Sequence, residues 1–231
     1  MSPQTIDDRS ILLLGEDNFN KLSSFKVAVI GLGGVGSICP LALIRSGLKK
    51  FIIVDGDEVT PSNINRQIGY TTSDIGRKKV DALKEKMLEI RKAEIETFAS
   101  FIDKDFNLNV FNDCDYILDC IDDINAKVEL IKYATENNIK IISALGMGNK
   151  LDPEHIHITK INKTTIDPLA KKLRYLLRKN DVDLSNVLVA FSDEIPIIKN
   201  TTISSMAFVP NACGLIISSY VLRTLLQLGG N

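Results

Sequence analysis

Gly31-Leu32-Gly33-Gly34-Val35-Gly36 closes the strand-like run Lys26-Val27-Ala28-Val29-Ile30, and Asp55 ends the next apolar run nineteen positions after Gly36. A mononucleotide-binding βαβ unit needs this spacing. The first glycine allows a tight turn, the second lets phosphate approach the backbone, and the last lets the following helix pack close to the strand. A carboxylate at the tip of the second strand can bind a ribose hydroxyl. Dehydrogenases, flavoproteins and methyltransferases share the glycine pattern, so it does not choose a chemistry alone. The segment Asn63-Ile64-Asn65-Arg66-Gln67 narrows the choice. It falls just past the second strand, where a dehydrogenase needs no arginine unless it must hold a 2′-phosphate. The joint reading is a nucleoside triphosphate site.

Further charges are spaced to reach the same edge of a sheet. The planar fork of Arg66 matches phosphate oxygens. Lys79, in Gly76-Arg77-Lys78-Lys79, would add a point charge beside the positive end of the second crossover helix. Asp122, in Asp119-Cys120-Ile121-Asp122, follows the fourth strand, where a hard carboxylate can hold Mg²⁺ against a triphosphate. Each has a plainer reading. Arg66 or Lys79 taken singly is a solvated surface charge, Asp122 or Asp123 caps the next helix, and Asp55 alone fits NAD equally well. Convergence of separate segments beyond the carboxyl ends of parallel strands favours the site.

The elements that must position these residues follow from periodicity. Short apolar runs alternate with helix-period segments, which predicts an α/β, Rossmann-like doubly wound, mostly parallel sheet. Strands are expected at Val27–Ile30, Phe51–Asp55, Ile95–Phe98, Tyr116–Asp119 and Ile139–Ser143. Crossover helices are expected at Gly34–Ser46, Ile75–Arg91 and Ile124–Asn137. Pro40 falls inside the first of these, where it would cost a backbone bond. After residue 150 the expected elements are a strand over Glu154–Lys160, an amphipathic helix over Asp167–Asn180 and a strand over Asn186–Phe191. A loop over 193–205 and a helix from about Asn211 to Gln227 complete the extension. No Gly/Ser-rich linker intervenes. The expectation is one domain over 1–231, with a nucleotide-binding core (1–150) and a C-terminal strand/helix extension on the substrate side (151–231).

Composition excludes several classes. The chain has 231 residues, 45% hydrophobic and 25% charged, with net charge −1, so no global basic field marks a nucleic-acid partner. The cysteines (Cys39, Cys114, Cys120, Cys213) lie 75, 6 and 93 positions apart with no C-x-x-C, which argues against a structural zinc and suits a reducing cytosol. The first thirty residues carry no signal-peptide pattern, and the expected location is cytoplasmic. The apolar stretch Leu215–Leu228 spans fourteen residues, too short to cross a bilayer, and reads as a buried terminal helix. His155 and His157 would share a face of a strand without a third ligand nearby, so they read as exposed strand histidines. Cys120 reads as a small buried apolar residue. Gly229-Gly230 is similar to a ubiquitin-like tail, but here it follows and stops a helix.

Gly31–Gly36, Asp55, Asn63-Ile64-Asn65-Arg66-Gln67, Lys79 and Asp119-Cys120-Ile121-Asp122 resemble the adenylating domain shared by ubiquitin-activating, molybdopterin-synthase-adenylating and thiamine-thiocarboxylate-forming enzymes. Within that superfamily, Ala144–Pro153, Lys163–Ala170, Phe191–Pro196 and Phe208–Pro210 resemble the tRNA threonylcarbamoyladenosine dehydratases. The resemblance runs from about Arg9 to Gln227. It implies ATP binding by Gly31, Gly33, Gly34, Gly36, Asp55, Asn63, Arg66, Gln67, Lys79 and Asp122, with Mg²⁺ on Asp122. It also implies a homodimer in which Arg9 reaches the partner's ATP; the plainer reading of Arg9 is an exposed terminal charge. A monovalent cation near the loop after Phe191 is left open.

The implied reaction transfers AMP onto a carboxylate, releasing pyrophosphate. A carbamoyl group of the same side chain then closes a ring and expels AMP, an intramolecular step needing no catalytic cysteine. For the tRNA, Lys160, Lys163, Lys171, Lys172, Arg174, Arg178 and Lys179 stand against one acid, Asp167. With Lys171, Lys172, Arg174 and Arg178 facing outward, the segment would track phosphates; a solvated helix face is the commoner origin of such a run. Three alternatives stand beside this reading: adenylation of the C-terminal glycine of a ubiquitin-like sulfur-carrier partner, an NAD(P)-dependent oxidoreductase, and a non-catalytic nucleotide-binding protein.

Overall fold

β1 (Lys26–Ile30) is flanked on one side by β2 (Lys50–Val54) and then β3 (Glu94–Phe98), and on the other by β4 (Tyr116–Asp119) and β5 (Lys140–Ala144). β7 (Leu188–Ser192) joins β5, and β6 (Ile156–Lys160) forms the edge, giving one sheet ordered β3-β2-β1-β4-β5-β7-β6. All pairs are parallel except β6 with β7. This is the doubly wound α/β sheet that the alternating apolar runs predict. The computed structural model describes residues 5–198 and 203–228; Gly229-Gly230 lies outside them.

Strand periodicity sorts the core into two layers. Val27 and Val29 face the layer holding α3 (Ile38–Arg45), α4 (Lys79–Ile90) and α7 (Phe208–Leu225). Ala28 and Ile30 face the other, with Leu130 and Ile131 of α5 (Ile124–Glu136) and Leu173 and Leu177 of α6 (Pro168–Lys179). The segment after residue 150 therefore supplies β6 and β7 to the same sheet and one helix to each face. Asp123 caps α5 through Asn125 N and Ala126 N, and Asp167 caps α6 through Leu169 N and Ala170 N.

Boundaries depart from expectation where glycine chemistry intervenes. The first crossover helix begins at Ile38, not Gly34, because residues 34–37 complete the glycine turn. Pro40 thus falls in the first helical turn, where an N–H has no intrahelical acceptor and none is lost. The second begins at Lys79 rather than Ile75. Gly76 adopts φ 87°, and Lys78 is extended in a bridge to Glu58, so the helix cannot start earlier. Periodicity does not predict two short helices, α1 (Asp8–Leu14) and α2 (Glu16–Leu22), because seven residues hold too few turns to show it. The terminal helix is longer than its apolar stretch suggests: α7 has 18 residues and is long and apolar enough to cross a membrane, although half of it is buried inside the protein. Its buried Cys213, Ile217 and Val221 pack in the core layer of α3.

Candidate functional site

Every loop of interest leaves the carboxyl edge of the sheet, and the chain order reverses between β1 and β4. Ligands bind at such a switch point. The glycine turn and the loop after β4 meet there: Cys120 N donates to Ile30 O at 2.8 Å. Gly31 has φ 83°, and a Cβ on it would lie 2.7 Å from Cys120 O. A Cβ on Gly36 would lie 1.8 Å from Gly31 O, so the turn closes only without side chains. At Gly33 the nearest atom to such a Cβ is Gln67 Nε2 at 3.9 Å, leaving the backbone open to a ligand. This is a cradle that phosphate can approach.

Asp55 is buried at the tip of β2. Its Oδ2 accepts from Leu32 N at 2.6 Å and its Oδ1 from Asp57 N at 2.8 Å, fixing the carboxylate beside the glycine turn. Lys79 lies 3.6 Å from Asp55 Oδ2 and 2.7 Å from Asp57 Oδ2, and its side chain is also buried. The ammonium is thus delivered to the site but shared between two acids. Tyr70 fastens the turn from behind, donating to Leu32 O at 3.1 Å.

The Asn63–Gln67 segment wraps over the glycines. Asn63 is buried and caps its own turn, Oδ1 accepting from Thr60 N at 3.2 Å. Gln67 Nε2 faces Gly33, while its Oε1 is buried without a partner among the described residues. The Arg66 stem passes Gly34, its Cγ 3.8 Å from a Cβ placed there. Its guanidinium rests on its own turn, donating to Ser62 O at 2.6 Å and Asn65 Oδ1 at 3.0 Å. Asn211 of α7 anchors this segment, Nδ2 donating to Arg66 O at 2.8 Å.

Asp122 is exposed in the loop between β4 and α5 and makes no hydrogen bond or ion pair among the described residues. Behind it lies a pair that sequence reading missed: Lys127 Nζ and Asp119 Oδ2, 2.8 Å apart and fully buried. Asp119 Oδ1 also accepts from Ile121 N at 3.2 Å, so the pair shapes the loop carrying Asp122. Lys127 lies on the apolar stripe Ile124, Val128, Ile131, which was the available signal. Asp57, Tyr70 and Asn211 were missed too. Only Asn211 left a trace, as a polar residue in an apolar helix. Cys120 is half-buried; a hydrogen bond to Cys39, then burial, holds its thiol well above the usual range, so it supplies no thiolate nucleophile.

Other residues lie elsewhere. Asp7 pairs with Arg91, just past the C-terminal end of α4, whereas Lys79 begins that helix. Twelve residues span about 18 Å, so Arg9, two residues from Asp7 and exposed on α1, stands far from its own chain's glycine turn. On α6, Lys171, Lys172, Arg178 and Lys179 are exposed, but Arg174 is not outward-facing as expected. Its Nη1 turns in to the carbonyls of Ile161 and Thr164 at 3.3 Å and to the Thr164 hydroxyl, because these acceptors gather in the turn before α6 within reach of the half-buried Arg174 stem. His155 ends a 3₁₀ turn instead of lying on the strand, and both histidines bond one carboxylate: His155 Nδ1 at 2.7 Å and His157 Nε2 at 3.1 Å from Asp193. Asp193 raises the His155 pKa. Among the described residues no three His, Cys, Asp or Glu are placed to hold a metal.

A glycine turn, a buried acid and overhanging basic residues at the switch point of a doubly wound sheet define a nucleotide-binding α/β protein. The chain belongs to the ThiF family, whose model matches residues 8–230. It is 35% identical over 95% of its length to the Bacillus subtilis tRNA threonylcarbamoyladenosine dehydratase, covering 94% of that protein. It is also similar to the Escherichia coli tRNA N6-threonylcarbamoyladenosine dehydratase solved with ATP (28% identity, TM-score 0.87) and with AMP (27% identity, TM-score 0.87). Both alignments cover 97% of this chain and 98% of the solved one.

Proposed function

We propose that this chain is an ATP-dependent tRNA threonylcarbamoyladenosine dehydratase. Similarity to dehydratases along nearly the whole chain carries the reading, because it spans the substrate-side extension from residue 151 as well as the nucleotide-binding core. The geometry supports ATP in particular. The open backbone at Gly33, the unpartnered buried Gln67 Oε1 and the Arg66 stem face one cradle. Mg²⁺ fits Asp122: a free, exposed carboxylate suits an ion that takes one or two protein ligands and its remaining oxygens from phosphate and water.

In this mechanism Asp55 holds the ribose, and the glycine turn donates backbone N–H groups to the phosphates. Mg²⁺, when bound, neutralises charge on the departing pyrophosphate. Arg66 swings from its own turn onto the phosphates, and Lys79 adds its field from the base of the cradle. The substrate carboxylate attacks the α-phosphorus, giving a mixed anhydride. The neighbouring carbamoyl group then attacks the anhydride's acyl carbon; the new bond closes the ring, a carbamoyl N–H proton is released, and AMP leaves with the carboxyl oxygen. ATP–pyrophosphate exchange is expected with threonylcarbamoyladenosine-bearing tRNA and not with a ubiquitin-fold carrier protein; the reverse pattern would transfer the chain to sulfur-carrier adenylation.

The tRNA footprint is assigned to Lys160, Lys163, Lys171, Lys172, Arg178 and Lys179, all exposed and without an ion pair among the described residues. Substituting Lys171, Lys172 and Arg178 by alanine is expected to weaken binding and to flatten the plot of log K against log salt, by about one unit for each phosphate no longer neutralised. An unchanged slope would remove the footprint.

A homodimer accounts for the N-terminus. α1 buries none of its residues within the chain, and Leu12 and Leu13 are 79% and 84% exposed. Covered by a second copy, α1 would bring Arg9 to the partner's site. Mixing Arg9→Ala and Asp122→Ala protomers is then expected to restore turnover, since each mixed dimer keeps one complete site. An active Arg9→Ala homodimer would place Arg9 outside the chemistry, and inactive homodimers that do not recover on mixing would place it in its own chain's site.

A further inference from the structure

Lys150 is a buried cation that the reaction above leaves unused. It is 7% exposed and follows β5 at the carboxyl edge of the sheet. Its ammonium donates to Ser192 O at 2.7 Å and to Gly146 O at 3.2 Å, joining the loop after β5 to the end of β7. No carboxylate among the described residues forms an ion pair with it. The acid beside this arrangement is Asp167, 6% exposed, whose Oδ1 caps α6 and whose Oδ2 is buried without a partner. That Oδ2 lies 3.7 Å from where a Gly146 Cβ would be. Burial pushes the Lys150 ammonium below the usual lysine range, and the fields of Asp167, Glu194 and Asp193 oppose the shift.

Two backbone carbonyls and a nearby, half-satisfied carboxylate are oxygen donors of the kind with which proteins hold hard cations. The loop after Phe191, where the sequence leaves a free ion open, therefore has its carbonyl already taken. We infer that the Lys150 ammonium is a tethered monovalent cation, occupying the place of a potassium or sodium ion and freeing this chain from any need for one. A positive charge attached to the chain requires no ion capture and cannot be exchanged by the medium.

The position matters because the neighbouring residue relays it. Asn149 N donates to Ser204 O and Asn149 Oδ1 accepts from Ser204 N, both at 2.7 Å, and Ile197 N donates to Asn149 O at 2.9 Å. One residue on, Ser205 O accepts from Asn65 Nδ2 at 2.8 Å, and Asn65 also bonds the Arg66 guanidinium. Lys150 is thus a positioning residue: it fixes the loop whose contacts reach the segment over the glycine turn.

The test compares potassium, sodium and tetramethylammonium chlorides at equal ionic strength. Thermal unfolding and AMP release with modified tRNA are read for the wild type, Lys150→Ala and Lys150→Met. The wild type is expected to be indifferent to the cation in both readouts. Lys150→Ala exposes the vacated oxygens and is expected to be stabilised by potassium or sodium over tetramethylammonium. At an ion concentration about ten times its Kd the gain is about tenfold in the folding equilibrium, with turnover rising in parallel. Lys150→Met fills the space with an apolar chain and should not respond. A cation-dependent wild type would overturn the inference, as would a Lys150→Ala protein that ignores the ions or fails to fold in all three salts. The unfolding readout uses no substrate, so its failure is distinct from failure of the dehydratase reading.

Discussion

Arg66→Ala is expected to lower the turnover of AMP release at least ~100-fold, the scale for losing one preorganised charge partner in a developing-charge transition state. Its unfolding midpoint should stay close to that of the wild type. Among the described residues the guanidinium bonds only Ser62 O and Asn65 Oδ1 within its own turn, and the backbone carbonyl that anchors the segment to Asn211 survives the substitution. Asp122→Ala should behave alike, because the carboxylate is exposed and bonds nothing else described. A stopped-flow or quenched assay of AMP under saturating ATP measures both. Turnover near wild type in the two variants would contradict the assignment of the phosphate site.

The second large effect is on stability. Lys127→Met leaves the Asp119 carboxylate fully buried and without an ion-pair partner among the described residues. Breaking one side of a buried pair costs about 3–5 kcal/mol, because the remaining charge keeps its desolvation penalty. That is a large share of the stability of a typical domain. The urea midpoint is expected to fall accordingly. Lys127→Met combined with Asp119→Asn should recover much of the loss, since the neutral amide is cheaper to bury. A single-variant cost below about 1 kcal/mol would show instead that water reaches the pair, at variance with its burial.

These two effects differ in how far they could be read from the chain. The place of Arg66 and Asp122 in loops at the carboxyl edge of the sheet was legible because each follows a strand marked by its apolar run. The sheet was legible for the same reason: Val27–Ile30, Phe51–Val54 and Tyr116–Asp119 are apolar runs whose period sets the layers. What stayed hidden depends on contacts between distant segments. Lys79 meets Asp57 twenty-two positions away, and Lys150 meets Ser192 O forty-two positions away. Nothing local distinguishes either lysine from a surface charge. Lys127 is intermediate, since its place on an apolar stripe was visible but its acid partner, the last residue of β4, was not. Arg174 went the other way: helical spacing turned it outward, and acceptors gathered in the turn before α6 drew it back.

The dehydratase reaction requires a carboxylate to be activated by ATP and then displaced within one modified nucleoside. Purified protein incubated with ATP, Mg²⁺ and threonylcarbamoyladenosine-bearing tRNA, followed by mass spectrometry of the nucleosides, tests this most directly. The predicted product is lighter than threonylcarbamoyladenosine by one water, formed mole for mole with AMP and pyrophosphate and absent when ATP is omitted. An unchanged nucleoside mass under conditions where the protein binds ATP would contradict it.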